Sequence, residues 1–267
     1  MAAGCVTWAV RLRPVGAVAQ EPWQLGGRPF PIVHADCFWR ALRAAWQELY
    51  GAGDPPLVSS LLPCWGGEFL FPWPDLPWLQ GPGKPLCDLL GGRAFRVALA
   101  GGVPAVREAG PGIWVEGDAP AGVPWSIGEL SRVPVDRMSG TSARATRFPA
   151  VRFGPGSGWF FLVRADTSSF EALLGALRFL GLTGIGRGRS CGLGGFVVEG
   201  FEPWTEPEGK RPAGRVLLSP EPVSSCQPGW VLLQRRRGSA LPEGTFLEGS
   251  PTGKDRAFGV VAFRAGR

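Results

Sequence analysis

The segment VTWAVRLR, residues 6–13, alternates Val6, Trp8, Val10 and Leu12 with Thr7, Ala9, Arg11 and Arg13. A period of two sends successive side chains to opposite faces, so this segment reads as a half-buried strand. The period lengthens in HADCFWRALRAAWQELYG, where Phe38, Leu42, Ala45, Trp46 and Leu49 recur at helical spacing. That pattern predicts a helix with Asp36 as its N-cap and Gly51 as its C-terminal stop. The stretch SSLLPCWGGEFLFPWPDLPWL reads as ordered loops and short strands, because its aromatic residues argue for packing rather than for a linker.

The strand-then-helix order then returns. GWFFLVRA, residues 158–165, reads as a buried strand, and SSFEALLGALRFLG as a helix with Phe170, Leu173, Leu174, Leu177 and Leu180 on one face. Ser168 with Glu171 predicts a capping box at its start. FVVEGF, RVLLS, GWVLLQ and AFGVVAF are further strand candidates, separated by Gly and Pro turns. Two strand-helix starts, each followed by strands, predict an α+β protein of two ferredoxin-like (RRM-like) β-α-β-β-α-β units. The expected boundaries are residues 1–154 and 155–267. The open sheet face of such a unit is a common platform for RNA.

Composition narrows the chemistry. A chain of 267 residues, 45% hydrophobic and 19% charged, builds a folded core rather than a disordered chain. No run of about 18 apolar residues marks a membrane span, and MAAGCVTWAV lacks the basic start and apolar block of a signal peptide, so the cytoplasm is the expected location. The six cysteines never approach a C-x₂-C spacing and there is one histidine, His34, which argues against a zinc site and for small buried thiols. Asp36, Asp54, Asp75, Asp88, Asp136 and Asp166 are scattered singly, the wrong arrangement for a two-metal centre. Neither metal nor cofactor is expected. The net charge is +6, and all but three of the 28 basic residues are arginine. Arginine grips phosphate bidentately and stacks on bases, which suits a polyanionic partner, although a GC-rich genome produces the same bias.

Two stretches concentrate that charge. TGIGRGRSCGLGGF, residues 183–196, sets Gly184, Gly186, Gly188, Gly192, Gly194 and Gly195 around Arg187, Arg189 and Ser190. Glycine lets backbone N–H groups approach a phosphate closely, and arginine adds fixed charge. The spacing matches neither G-x-G-x-x-G nor a phosphate loop, and the segment leaves a helix for a strand, the reverse of a nucleotide-binding turn. A long polyanion held by its backbone is the functional reading; the competing one is that the glycines only turn the second helix tightly back onto the sheet. Residues 131–153 place Arg132, Arg137, Arg144, Arg147 and Arg152 around a Ser-Gly turn that also holds Asp136 and Gly140. This predicts a protruding basic β-hairpin, against a solvated surface ribbon as the plainer alternative.

Four segments in this order, PIVHADCFWRAL with AAWQELYG, PPLVSSLLPCW with EFLFPWP, VDRMSGTSARATRF and GIGRGRSCGLGGF, resemble the RAMP superfamily of CRISPR proteins. The likeness is to the fourth subunit of type III-A (Csm) effector complexes, of the group that holds the 5′ handle of the guide RNA. The tail RVLLSPEP, GWVLLQRRRG and FLEGS extends it over most of the chain. The resemblance implies a non-catalytic RNA-binding subunit that caps the guide, docks the large polymerase-like subunit and the backbone RAMP subunit, and meets target RNA only indirectly. By position, Gly184, Gly186, Gly188, Gly192, Gly194 and Gly195 with Arg187, Arg189 and Ser190 would cradle handle phosphates. Asp136, Arg137, Gly140, Arg144 and Arg147 would form a thumb that pins a nucleotide, and His34, Asp36, Ser59 and Ser60 would line the same surface. Three alternatives stay open: a guide-processing endoribonuclease using His34 as general base, a free-standing single-strand RNA-binding protein, and the equivalent subunit of a type III-B complex.

Overall fold

The structure, a computed structural model, describes residues 5–19, 23–25, 28–74, 79, 82–83, 88–133, 138–142, 145–205, 215–222, 230–234, 246–248 and 256–261. The chain opens with β1 (Val6–Val15), β2 (Ala17–Val18), β3 (Trp23–Leu25), β4 (Arg28–Phe30) and α1 (Ala35–Tyr50). Next come β5 (Leu62–Trp65), β6 (Glu68–Pro72), β7 (Leu89–Gly91), α2 (Gly92–Leu99), β8 (Arg107–Gly110) and β9 (Ile113–Val115). Then follow β10 (Trp125–Arg132), β11 (Thr146–Phe153), β12 (Ser157–Ala165), α3 (Thr167–Thr183) and β13 (Gly195–Pro203). The last strands are β14 (Arg215–Pro222), β15 (Trp230–Gln234), β16 (Phe246–Glu248) and β17 (Arg256–Val261).

An eight-stranded sheet in the order β13-β1-β12-β5-β6-β7-β9-β8 organises these elements. Its first four strands are mutually antiparallel. In chain order β1, α1, β5, β12, α3 and β13 spell β-α-β-β-α-β, and their spatial order is fourth, first, third, second. One ferredoxin-like unit is therefore assembled from the two strand-helix starts, which are its halves and not the beginnings of two units. The boundary expected at residue 154 falls inside it, since β1 pairs with β12 from Val6↔Ala165 to Leu12↔Trp159 and with β13 on its other edge. The elements β6 to β11 with α2 are an insertion between β5 and β12. They continue the sheet beyond β5 and add a second, three-stranded sheet in the order β10-β11-β2. Of the predicted C-terminal strands, FVVEGF is β13 of the eight-stranded sheet, whereas RVLLS, GWVLLQ and AFGVVAF correspond to β14, β15 and β17, which with β16 form a separate sheet in the order β14-β17-β15-β16.

The alternation of β1 decides where the core lies. Val10 and Leu12, with Trp159, Phe161 and Val163 of β12, point toward α1 and α3 and meet Phe38, Leu42, Phe170, Leu173 and Leu177. Most of both predicted helix faces is thus buried; Trp46 and Leu174 are half-buried, and Leu49 is 43% exposed. Gly51 ends α1 in the left-handed conformation, as its place predicts. The opposite face was expected to lie open. Over β12 and β5 it is closed by the insertion and by Trp204, which follows β13: Phe69 stacks on Phe160 at 4.4 Å, Phe71 stacks on Phe95 of α2 at 4.2 Å, and Trp204 packs against Phe69 and Phe71. Burying this much aromatic surface leaves no base-stacking platform at β12, because Phe160 is fully covered. Where the face stays accessible, over β1 and β13, Arg11 pairs with Glu202 at 3.0 Å and Arg13 with Glu199 at 3.7 Å.

Both helices start earlier than their sequences suggest. His34 in extended conformation is the N-cap of α1, and Asp36 lies inside the helix. Asp166 caps α3, accepting from the Ser169 N–H at 2.9 Å, the Ser168 hydroxyl at 2.7 Å and the Ser169 hydroxyl at 3.0 Å. A carboxylate satisfies three donors at once where a hydroxyl satisfies fewer, so Ser168 serves the cap and is not the cap. Among the described cysteines only Cys64 is buried, its thiol pushed up to about 12 chiefly by burial, while Cys5, Cys37 and Cys191 are exposed. Among the described residues, no helix is long and apolar enough to cross a membrane, and no cluster of three or more His, Cys, Asp and Glu side chains is present.

Candidate nucleic-acid interface

The glycine-rich segment divides into a buried base and an exposed tip. α3 ends at Gly184, whose N–H donates to Leu180 O at 2.7 Å. The base is closed by the Ile185 N–H on Gly194 O at 2.9 Å, with Ile185 only 4% exposed. Gly194 is where glycine is obligatory: its φ is +77°, and a Cβ there would run into the carbonyl oxygen of Ile185. Beyond the base, residues 189–191 make a single 3₁₀ turn, with the Cys191 N–H on Gly188 O at 2.8 Å and the Gly192 N–H on Arg189 O at 3.0 Å. Gly186, Arg187, Arg189, Ser190, Cys191 and Gly192 are exposed on that tip.

This geometry separates the two sequence readings. The N–H groups of Gly184, Ile185, Arg187, Cys191, Gly192, Leu193 and Gly194 are spent within the protein, so they hold the loop and are not offered to a ligand. The N–H groups of Gly186, Gly188, Arg189 and Ser190 enter none of those bonds, and Arg187 and Arg189 are both exposed in the same stretch. Gly195 starts β13 opposite Val15, and so belongs to the sheet. Shape is thus the work of the base, and the exposed charge of the segment lies at the tip.

The hairpin is present as β10 and β11, paired antiparallel from Trp125↔Phe153 to Arg132↔Thr146, so its arms begin before residue 131. Arg132, Arg147 and Arg152 are exposed along it, with Arg147 3.9 Å from Glu129. At the turn Gly140 is exposed with φ +67°, beside Met138, which is 96% exposed. Asp136, Arg137 and Arg144 lie outside the described residues.

What joins the two basic features is a segment the sequence did not mark. Ala17 and Val18 of β2 pair with Arg152 and Val151 of β11. On the other edge of the same short strand, the Gly194 N–H donates to Ala17 O at 3.1 Å and the Arg187 N–H to Ala19 O at 2.9 Å. Loop and hairpin root are therefore stitched to opposite edges of residues 17–19. Alternation by sequence position is the only signal that could have found it, and three small apolar residues are too few to show one.

The remaining candidates gather at the start of α1. Ser60 is fully buried and its hydroxyl accepts the Ala35 N–H at 3.0 Å, which supplies the helix cap that His34 does not make. Ser59, 9% exposed, donates to Ser60 O at 2.9 Å and accepts the Leu162 N–H at 2.9 Å. Both hydroxyls are committed to the fold and neither is presented at a surface. His34 is half-buried beside them, and the side chain of Asp36 lies outside the description.

No protein-family model and no curated protein matches this chain. Solved structures do. A chain of the crystal structure of a Csm3-Csm4 subcomplex of the type III-A CRISPR-Cas interference complex aligns over 97% of this chain and 92% of its own, at TM-score 0.57 and 12% identity. A chain of a Csm1-Csm4 cassette in complex with AMPPNP aligns over 96% and 95%, at TM-score 0.54 and 20% identity. The cassette in complex with pppApApA aligns over 96% and 98%, at TM-score 0.52 and 18% identity. The likeness is one of fold, and it spans nearly the whole of each chain.

Proposed function

We propose that this protein is the handle-binding subunit of a type III-A CRISPR effector complex, a non-catalytic protein that grips the repeat-derived 5′ handle of the guide RNA. The observation that carries the reading is the pairing of two arginine-bearing surface features, the loop tip with Arg187 and Arg189 and the hairpin with Arg147 and Arg152, on the two edges of one strand. A single-stranded RNA lying across both would meet guanidiniums and unspent N–H groups without being read base by base. The fold supports the same reading, because the matched assemblies have Csm4 in common. Their named companions, Csm1 and Csm3, correspond in this proposal to the large polymerase-like subunit and the backbone subunit that this chain would dock.

The handle would be recognised through its backbone, leaving guide and target sequence to base pairing. Copurification from cells carrying the whole system, followed by sequencing of the bound RNA, tests this directly. Uniform 5′ ends bearing one repeat-derived tag are expected, and RNA with random ends would refute the assignment. The non-catalytic part is tested by His34→Ala in the reconstituted complex. Guide maturation and target cleavage should stay within a few-fold of the parent; loss of precursor cleavage with the fold intact would replace this reading with that of a processing nuclease.

A further inference from the structure

We propose that residues 17–19 are a positioning element that holds the glycine loop and the hairpin as one cooperative body, so that a single RNA meets both at fixed spacing. The RNA half of this statement rests on the function proposed above; the mechanical half does not.

Strand geometry sets the arrangement. Successive residues of a strand direct their backbone groups to opposite edges, so the carbonyls of Ala17 and Ala19 face one way and the backbone of Val18 the other. Each edge is occupied. The loop's Gly194 and Arg187 donate to Ala17 and Ala19 at 3.1 and 2.9 Å, and β11 pairs along the opposite edge through Val151 and Arg152.

The seating is also tight. A Cβ at Gly186 would lie 2.7 Å from Ala19 O, so the loop rests on the strand with no room for a side chain between them. Val18 and Val151 are fully buried and Ala19 is 1% exposed, which shields these bonds from water. Two partners bonded to one three-residue segment, of which Val18 and Ala19 are buried, cannot shift independently: a slip of the loop by one residue would break both of its bonds and drag the strand that anchors β11. The exposed arginines at the two ends of this arrangement inherit that spacing. Held this way, two weak contacts to one RNA reinforce each other, because the second forms at the effective concentration set by the first.

Two measurements test it. In the unmodified protein without RNA, native-state hydrogen exchange across a denaturant series should show the amides of Arg187 and Gly194 opening with the same denaturant dependence as those of Val18 and Val151, as one unit. Loop amides that open separately, at lower denaturant than β11, would overturn the coupling. The second measurement uses Val18→Pro, which removes a donor on the hairpin edge and leaves the carbonyls of Ala17 and Ala19 in place. Its affinity should be compared for a long single-stranded RNA able to reach both features and a short one that reaches only the loop. The substitution should weaken the long RNA by about tenfold or more and leave the short one unchanged. Equal loss on both RNAs, or no loss on the long one, would overturn the positioning role. If Val18→Pro does not fold, the exchange data on the unmodified protein still decide the coupling. If the unmodified protein binds neither RNA, the proposed function fails while the exchange result stands.

Discussion

The backbone N–H of Ala35, first residue of α1, donates at 3.0 Å to the buried hydroxyl of Ser60, which lies on the strand-like segment leading into β5. A helix that begins at His34-Ala35 has no capping side chain of its own, and the fold supplies one from the neighbouring segment that pairs with Val33 through Leu61. The resemblance gave Ser60 to the RNA surface, whereas its burial makes it a structural acceptor. Ser60→Ala should therefore cost about 1–3 kcal/mol of stability, the penalty for orphaning a buried donor. RNA affinity of the folded variant should match the parent. Thermal melts alongside RNA titration check both, and a stable variant with weakened RNA binding would return Ser60 to the interface.

Long periodic elements were legible. β1, α1, β12 and α3 emerged from their spacing because each buries a continuous face, and Gly51 marks the end of α1. Their assembly was not legible, because nothing local in VTWAVRLR or GWFFLVRA says that these strands pair with each other across the inserted residues 66–156. α2 went unread because GRAFRVAL offers barely two turns, too few for a period to stand out. The arginines of the loop tip were visible as residues, but residues 17–19 act through carbonyl groups that every amino acid carries. A backbone acceptor leaves no trace in side-chain pattern.

Acid should act on α3 through Asp166. Three hydrogen bonds from Ser168 and Ser169, the Ser169 N–H foremost, hold its carboxyl near 2, below the ordinary value of 3.8. A lowered folded-state pKa contributes stability that is present above the unfolded value and is lost as pH falls through the folded one, so the loss runs from about 4 down to about 2. Because the group is exposed, solvent screening keeps the effect modest. Asp166→Asn should keep a capping acceptor at neutral pH yet flatten the acid limb of the melting temperature against pH. An unchanged acid limb would mean that the titration of Asp166 does not bear on folding.

The glycines of the loop should differ sharply in what they tolerate. At Gly192 the φ of +78° strains a side chain, but a Cβ would meet nothing within 4 Å. Gly192→Ala should cost about 1–2 kcal/mol, the left-handed penalty alone. At Gly194 the same penalty is joined by collision with the Ile185 carbonyl, and Gly194→Ala should cost about 3 kcal/mol or more. Denaturant unfolding of the two variants measures the difference. Equal losses would mean that the loop base is less tightly closed than its hydrogen bonds indicate.

At the loop tip, the competing readings give opposite results. If the glycines merely return α3 to the sheet, the exposed Arg187 and Arg189 have no task, and replacing them should change nothing measurable. If the tip carries an RNA backbone, Arg187→Ala with Arg189→Ala should weaken handle binding about equally for every base sequence, since phosphate contacts carry no sequence information. The slope of log affinity against log salt should fall by up to about 0.7 for each phosphate of a single strand that the variant no longer neutralises. The melting temperature should stay close to the parent value, because both side chains are exposed and the bonds that close the loop use backbone atoms. Titrations of labelled handle RNA at several salt concentrations, with scrambled RNA as the control, separate the cases. An unchanged salt slope would assign the loop to folding alone, and a loss confined to one RNA sequence would mean that these arginines read bases.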